Sequence, residues 1–167
     1  VAGGVSLNNA GLKNRLKQKN YQHYLAELIE KYSLAGCVEF LPPLKADEMK
    51  KMYLRSNVFV SPSSIENSPN SLGEAMMLGV PCVSSLVGGV GNMLINGAEG
   101  FTYQHDAPYM LAYYVMEIFK MQDFQRDNLE SMTENAHKHA LKLFDRAENA
   151  ERMIKIYEAV INGVEDV

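Results

Sequence analysis

The stretch Val58-Phe59-Val60-Ser61-Pro62-Ser63-Ser64-Ile65-Glu66-Asn67-Ser68-Pro69-Asn70-Ser71-Leu72-Gly73-Glu74-Ala75-Met76-Met77-Leu78-Gly79-Val80-Pro81-Cys82-Val83-Ser84 decides the fold. Its first four residues are a short apolar, β-branched run that Pro62 stops, which reads as a buried strand. A polar loop of small residues follows. Residues 71–78 have helical character and close at Gly79, the residue type suited to a helix C-terminus. Residues 81–84 return to a strand.

The same alternation extends outward. Residues 1–3 read as the end of a strand. Residues 16–32 form a helix with Leu16, Tyr21, Tyr24, Leu25, Leu28, Ile29 and Tyr32 near one face. Residues 38–41 read as a second strand, stopped by Pro42-Pro43, and 47–55 as a helix with Met49, Met52 and Tyr53 inward. A short fifth strand is expected at 100–103. Beyond it strand signals stop, and helices are expected at 107–121, 123–144 and 147–161. Strands alternating with helices predict an α/β fold, a Rossmann-like parallel sheet with flanking helices and a helical C-terminal third.

Composition bounds the rest. With 167 residues, 47% hydrophobic and 22% charged, the chain reads as one globular domain, and disordered, collagen-like and coiled-coil classes fit poorly. Sixteen basic and 20 acidic side chains give a net charge of -4, which argues against a nucleic-acid partner. No uninterrupted apolar run is long enough to span a membrane. The chain starts at Val1 with no signal peptide, so a piece of a longer protein is expected. Cys37 and Cys82 lie in apolar runs and read as small buried hydrophobes in a reducing, cytoplasmic compartment. His23, His105, His137 and His139 are scattered and read as surface or packing groups, so no metal is expected.

Charge is unevenly placed. Residues 57–100 contain no Lys, Arg or Asp and only three glutamates, Glu66, Glu74 and Glu99. Glu66 and Glu74 thus have no cation nearby in the sequence. The loop holding Glu66 lies at the carboxyl end of a strand, where open parallel sheets bind ligands. The helix after it presents free N–H groups and a partial positive charge, suited to an anion. Ser68, Asn70 and Ser71 add neutral hydrogen-bonding groups, and Glu66 can accept from polyol hydroxyls. Plainer readings stand beside these. Ser71 and Glu74 fit a capping box, Glu66 fits a solvated loop carboxylate, and the Ser and Asn residues fit turns. Gly88-Gly89 fits a tight turn or a close approach to ligand equally well. Asp106 reads as a helix N-cap, and Tyr109, Tyr113 and Tyr114 as core residues or as contacts to another domain.

Glu66 and Glu74, separated by seven residues and followed by Ala75-Met76 and Gly79-Val80-Pro81-Cys82-Val83-Ser84, resemble a known signature. It is the donor-binding signature of GT-B retaining glycosyltransferases, specifically glycosyltransferase family four (glycosyl transferases group 1), which reads E-G-F-G-x-x-x-x-E-A-M-A-x-G-x-P-V-V-A-S. Upstream, Val38-Glu39-Phe40-Leu41 and Tyr53-Leu54-Arg55-Ser56-Asn57-Val58-Phe59-Val60-Ser61-Pro62-Ser63 are similar to the family's V-x-F-L-G and Y-x-x-A-D-V-F-V-x-P-S. Downstream, Ser84-Ser85-Leu86-Val87-Gly88-Gly89-Val90, Gly97 and Gly100 resemble its glycine-rich stretch.

That resemblance implies that Glu66 holds hydroxyls of the donor sugar and is the candidate for a chemical role. It implies that Glu74 holds the ribose, and that backbone around Asn67, Ser68, Asn70 and Ser71 meets sugar and diphosphate, with Gly88 and Gly89 beside them. The donor would be a nucleotide-diphosphate sugar, transferred with retention and without a cofactor or obligatory metal. Three departures stand out. Asn67-Ser68-Pro69 replaces G-F-G, and Gly91 and Asn92 replace the family's Pro and Glu. The Arg and Lys that grip the diphosphate belong to a segment upstream of Val1. The chain as a whole, 1–167, is therefore expected to be a single donor-binding domain truncated at its N-terminus, without the acceptor-binding N-terminal domain and inactive by itself. Expected partners are that domain, a saccharide or glycolipid acceptor and, through the absent domain, the inner membrane surface. The alternative is a non-catalytic Rossmann-like module for nucleotide binding or protein contacts.

Overall fold

The computed structural model describes residues 12–163, with side chains described from residue 21 onward. The chain divides into two units, Val1–Met49 and Lys50–Val167. In the first unit, α1 (Leu12–Lys31) spans the helix expected at 16–32. Leu25, Leu28 and Ile29 are half-buried, whereas Tyr21, Tyr24 and Tyr32 are exposed. The tyrosines of the expected inward face thus lie in water, a position their polar tips tolerate.

Two expectations fail in this unit. Residues 38–41 form no strand; only Leu41 makes a single bridge. Val38 and Leu41 are half-buried and Phe40 is exposed, so the segment runs without a regular strand among the described residues. Cys37 is exposed in the turn before it, its N–H donating to the Leu34 carbonyl at 2.8 Å. The strand expected at 1–3 lies outside the described residues.

Helix α2 (Ala46–Arg55) leads into the second unit, with Asp47 and Glu48 in its first turn and Arg55 in its last, each favourable to the helix dipole. Then follow β1 (Phe59–Ser61), α3 (Asn70–Met77), β2 (Cys82–Ser85), a four-residue turn of helix α4 (Val90–Met93) and β3 (Phe101–Tyr103). The three strands are parallel in the order β1-β2-β3, with Phe59 opposite Cys82 and Val83 opposite Phe101. β2 is central and all four of its residues are buried, as expected for a parallel strand covered on both faces. Gly79 ends α3 with a φ of 69°, a left-handed conformation that glycine adopts without strain. Helix α4, within a segment read as turns, is too short to carry a periodic signal.

Three helices complete the unit: α5 (Pro108–Phe124), α6 (Arg126–Leu143) and α7 (Arg146–Ile161). Val83, Tyr103, Ile118 and Leu129 form a core cluster joining sheet, α5 and α6, and Phe101 stacks on Tyr114. Fully burying a side chain of this kind contributes about 1.5–3 kcal/mol. α3 packs on α6, and Gly73 lies against the ring of Phe144, where a Cβ would collide with it. Asp106 is not the N-cap of α5: Ala107 takes that place, with Pro108 in the first turn and no side-chain cap. Pro108 needs no cap for its own nitrogen, since it has no N–H to satisfy. Asp145 caps α7, accepting from the N–H groups of Ala147 and Glu148 at 2.8 and 2.9 Å.

Candidate functional site

The loop at residues 62–69 leaves the carboxyl end of β1 and enters α3 at Asn70. Its shape is set by β2 and by the loop after β2. Buried Ser85 donates its hydroxyl to the Ser63 carbonyl at 2.6 Å, and Ser63 in turn donates to Glu66 Oε1 at 2.9 Å. Ser85 thus pins the backbone at residue 63 to the sheet, and the Ser63 hydroxyl orients the Glu66 carboxylate. The Asn67 carbonyl accepts the Gly89 N–H. Ser68 donates to the sulfur of buried Met93, in α4, at 3.2 Å.

Gly88 and Gly89 are the other half of this arrangement. Gly88 has a φ of 51°, and a Cβ there would overlap the Glu66 carbonyl oxygen. A Cβ on Gly89 would press on the Asn67 carbonyl. Both glycines thus lie close against the backbone of the 62–69 loop. The two loops at the carboxyl ends of β1 and β2 are fastened together.

At α3 the capping-box reading fails. Pro69 is the N-cap, Asn70 starts the helix, and no side chain caps it. Ser71 is two residues too deep to cap, and Glu74 is engaged elsewhere: Tyr53 Oη donates to Glu74 Oε2 at 3.1 Å and approaches the Ser71 carbonyl at 3.3 Å. Burial, reinforced by the charge of Glu74, raises the Tyr53 pKa above its ordinary value, so its hydroxyl stays protonated and donating. The N–H groups of Asn70 and Ser71 have no acceptor among the described residues, leaving the start of α3 open to an anion.

The sequence-predicted site residues thus fall into two groups. Glu66, Asn67, Ser68, Gly88 and Gly89 are tied together across the two loops, and Asn70, Ser71 and Glu74 occupy the first turns of α3. Tyr53 and Ser85 were missed as partners of the glutamates. A tyrosine on the inward face of α2 and two serines at the end of a buried strand were the available signals. Glu99, the third glutamate of the cation-free stretch, is buried and structural: it accepts from the Ile95 N–H and pairs with His139 Nδ1, each at 2.9 Å. His137 Nδ1 lies 2.7 Å from the Met77 carbonyl. Cys82 is buried, and desolvation pushes its thiol up to about 12, so it is inert packing.

Three cavities among the described residues lie away from Glu66 and Glu74, the smallest, of about 280 Å³, between His139 and Arg152. One, of about 440 Å³, is at the amino ends of β1 and β2 between Asn57, Pro81 and Arg126. Another, of about 430 Å³, lies beyond β3 among Gln104, Asp106 and Tyr109. Among the described residues no three His, Cys, Asp or Glu side chains gather as metal ligands, and no helix is long and apolar enough to cross a membrane.

A parallel sheet with helices around it defines an open α/β domain, and the polar groups on the loop at its carboxyl edge stand where such domains hold their ligands. The family model for glycosyl transferases group 1 matches residues 1–139, and the chain belongs to that family. A Salmonella typhimurium protein that carries the name of a colanic acid biosynthesis glycosyltransferase is 29% identical over 133 residues, 75% of this chain and 32% of its own length. The D-inositol 3-phosphate glycosyltransferase of Corynebacterium urealyticum is 26% identical over 136 residues, 81% of this chain and 31% of its own. The chain thus spans about a third of these relatives. Among solved structures, sucrose-phosphate synthase of Thermosynechococcus elongatus superposes with a TM-score of 0.76 at 22% identity, over 97% of this chain and 38% of its own. HepE of Anabaena in complex with UDP gives 0.74 at 21% identity, over 86% of this chain and 38% of its own. The fold is accordingly the one found within GT-B glycosyltransferases.

Proposed function

We infer that the chain is the donor-binding domain of a retaining, metal-independent glycosyltransferase that moves a sugar from a nucleotide-diphosphate sugar to a saccharide or lipid-linked acceptor. The observation that carries this reading is the pairing of two glutamates around one helix entry. Glu66 is oriented by Ser63 in the loop before α3, and Glu74 stands within α3 held by Tyr53. Family membership, together with the UDP in the HepE complex, supports a nucleotide-sugar donor.

On this reading Glu74 accepts from ribose hydroxyls and Glu66 from hydroxyls of the donor sugar. The open N–H groups at Asn70 and Ser71 face the diphosphate, with Asn67 and Ser68 completing the wall. Positive charge for the leaving diphosphate comes from outside residues 57–100, which carry none. The acceptor sits on an adjoining N-terminal domain, in a cytoplasmic enzyme working at the inner membrane surface. The 167-residue chain by itself then binds donor weakly and transfers no sugar.

The test is titration of the full-length protein with UDP-, GDP- and ADP-glucose, with Glu74→Ala as control, followed by the anomeric configuration of any product. Binding of one donor, weakened about tenfold or more in Glu74→Ala, is expected for loss of a charged hydrogen-bond acceptor. A variant that binds as wild type would remove the ribose assignment, and an inverted product would remove the retaining one.

A further inference from the structure

Glu74 is exposed on α3 and has three rotatable side-chain bonds, so nothing in its own helix fixes its carboxylate. The restraint comes from α2. Tyr53 is 5% exposed, its ring packs against Phe59 with centroids 5.8 Å apart, and its hydroxyl reaches Glu74 Oε2 at 3.1 Å. The same hydroxyl lies 3.3 Å from the Ser71 carbonyl. It is thus seated at the first turn of α3, where the open N–H groups are. Glu74 Oε1 has no partner among the described residues. One carboxylate oxygen is anchored and the other is free.

We propose that Tyr53 is a positioning residue: its buried hydroxyl holds Glu74 Oε2 so that Oε1 is presented to the ribose of a bound nucleoside diphosphate. This rests on the donor-binding reading above and adds to it the group that makes the carboxylate ready before ligand arrives. A glutamate that must be ordered on binding loses rotamer freedom at that moment, and a glutamate already held does not. The phenol is well chosen for the task. It is rigid beyond two torsions and packed on an aromatic neighbour, and it donates a hydrogen bond without adding charge to a region that carries only glutamates.

The experiment uses UDP, GDP and ADP, each against its 2′-deoxy and 3′-deoxy counterpart, titrated into the full-length protein as wild type, Tyr53→Phe and Glu74→Ala. Tyr53→Phe keeps the ring on Phe59 and removes only the hydroxyl; thermal melting of each variant reports the fold. The expected result is binding about fivefold to tenfold weaker in Tyr53→Phe, as for loss of one hydrogen bond to a charged group. With it, the penalty for removing a ribose hydroxyl should shrink towards that of Glu74→Ala. A merely structural tyrosine would weaken ribo- and deoxynucleotides equally, and that pattern overturns the inference. So does wild-type affinity and deoxy penalty in Tyr53→Phe while Glu74→Ala loses both, which leaves the donor-binding reading standing. Wild-type binding by Glu74→Ala overturns the ribose assignment itself, and the role of Tyr53 with it.

Discussion

Replacing Gly88 by alanine should damage the molecule in two separable ways, and neighbouring glycines provide the controls. Gly88 combines a φ of 51° with a Cβ position 1.8 Å from the Glu66 carbonyl oxygen. The left-handed conformation costs an L-residue about 1–2 kcal/mol. Relief of the overlap requires the Glu66 backbone to retreat by about 1.5 Å to reach an ordinary carbon–oxygen separation. That movement strains the bond from the Gly89 N–H to the Asn67 carbonyl, a loss of about 1 kcal/mol. The expected destabilisation of Gly88→Ala is therefore about 3–5 kcal/mol, a large share of the about 5–15 kcal/mol that holds a domain together. Gly97 has a φ of 80° with open space around its Cβ position, so Gly97→Ala should lose only the conformational part, about 1–2 kcal/mol. Gly89 lacks the positive φ but would press on the Asn67 carbonyl at 2.6 Å, and Gly89→Ala should fall between them. Urea unfolding of the three variants measures these losses. Titration of nucleotide sugar into the full-length protein reads the displaced loop as weaker donor binding in Gly88→Ala than in Gly97→Ala. Equal losses in Gly88→Ala and Gly97→Ala, with donor binding intact in both, would refute the claim that the two loops are clamped.

Ser63→Ala removes the donor to Glu66 Oε1 and should weaken donor-sugar binding about fivefold with little change in melting temperature; unaltered affinity for nucleotide sugar would separate Ser63 from the site. A thiol reagent should label Cys37 at once in the folded protein and reach buried Cys82 only on unfolding, so a count of fast-reacting thiols other than one contradicts the burial. Alkaline pH should destabilise the fold. Cys82 is held near 12 in the native state against 9.0 in its ordinary state, so its contribution is fully present below pH 9. It is lost as the unfolded thiol ionises, at about 1.4 kcal/mol per pH unit up to the native value. Denaturation at pH 8, 9, 10 and 11 should show this loss, reduced in Cys82→Ala; a flat profile would refute it.

The second unit was largely legible because each element carries its own punctuation. Pro62 ends β1, Gly79 ends α3, and Val58-Phe59-Val60 and Cys82-Val83 are apolar in runs rather than alternately, as strands buried on both faces require. The strand expected at 38–41 shows the limit of that reasoning. Its residues prefer an extended backbone, but pairing depends on a neighbour that local sequence does not name, and Cys37 falls in the turn before it. The site was legible to the level of which segment and which glutamates, since a charge-poor loop before a helix is a local pattern. Their partners were not. Tyr53 lies 21 residues from Glu74, and Ser85 lies 22 from Ser63; the first pair joins α2 to α3 and the second meets because β1 and β2 lie side by side. Asp106 and the Ser71–Glu74 pair mimic capping motifs, and in both cases a neighbouring proline moved the helix start.

The ring of Phe144 resting on Gly73 ties the helix that carries Glu74 to the far end of α6. Over evolutionary time the two positions should therefore change as a pair. A descendant that acquires a side chain at 73 keeps its helix in place only by trimming residue 144, and an aromatic at 144 keeps 73 bare. Drift in a remote helix is in this way constrained by the geometry of a carboxylate it never touches.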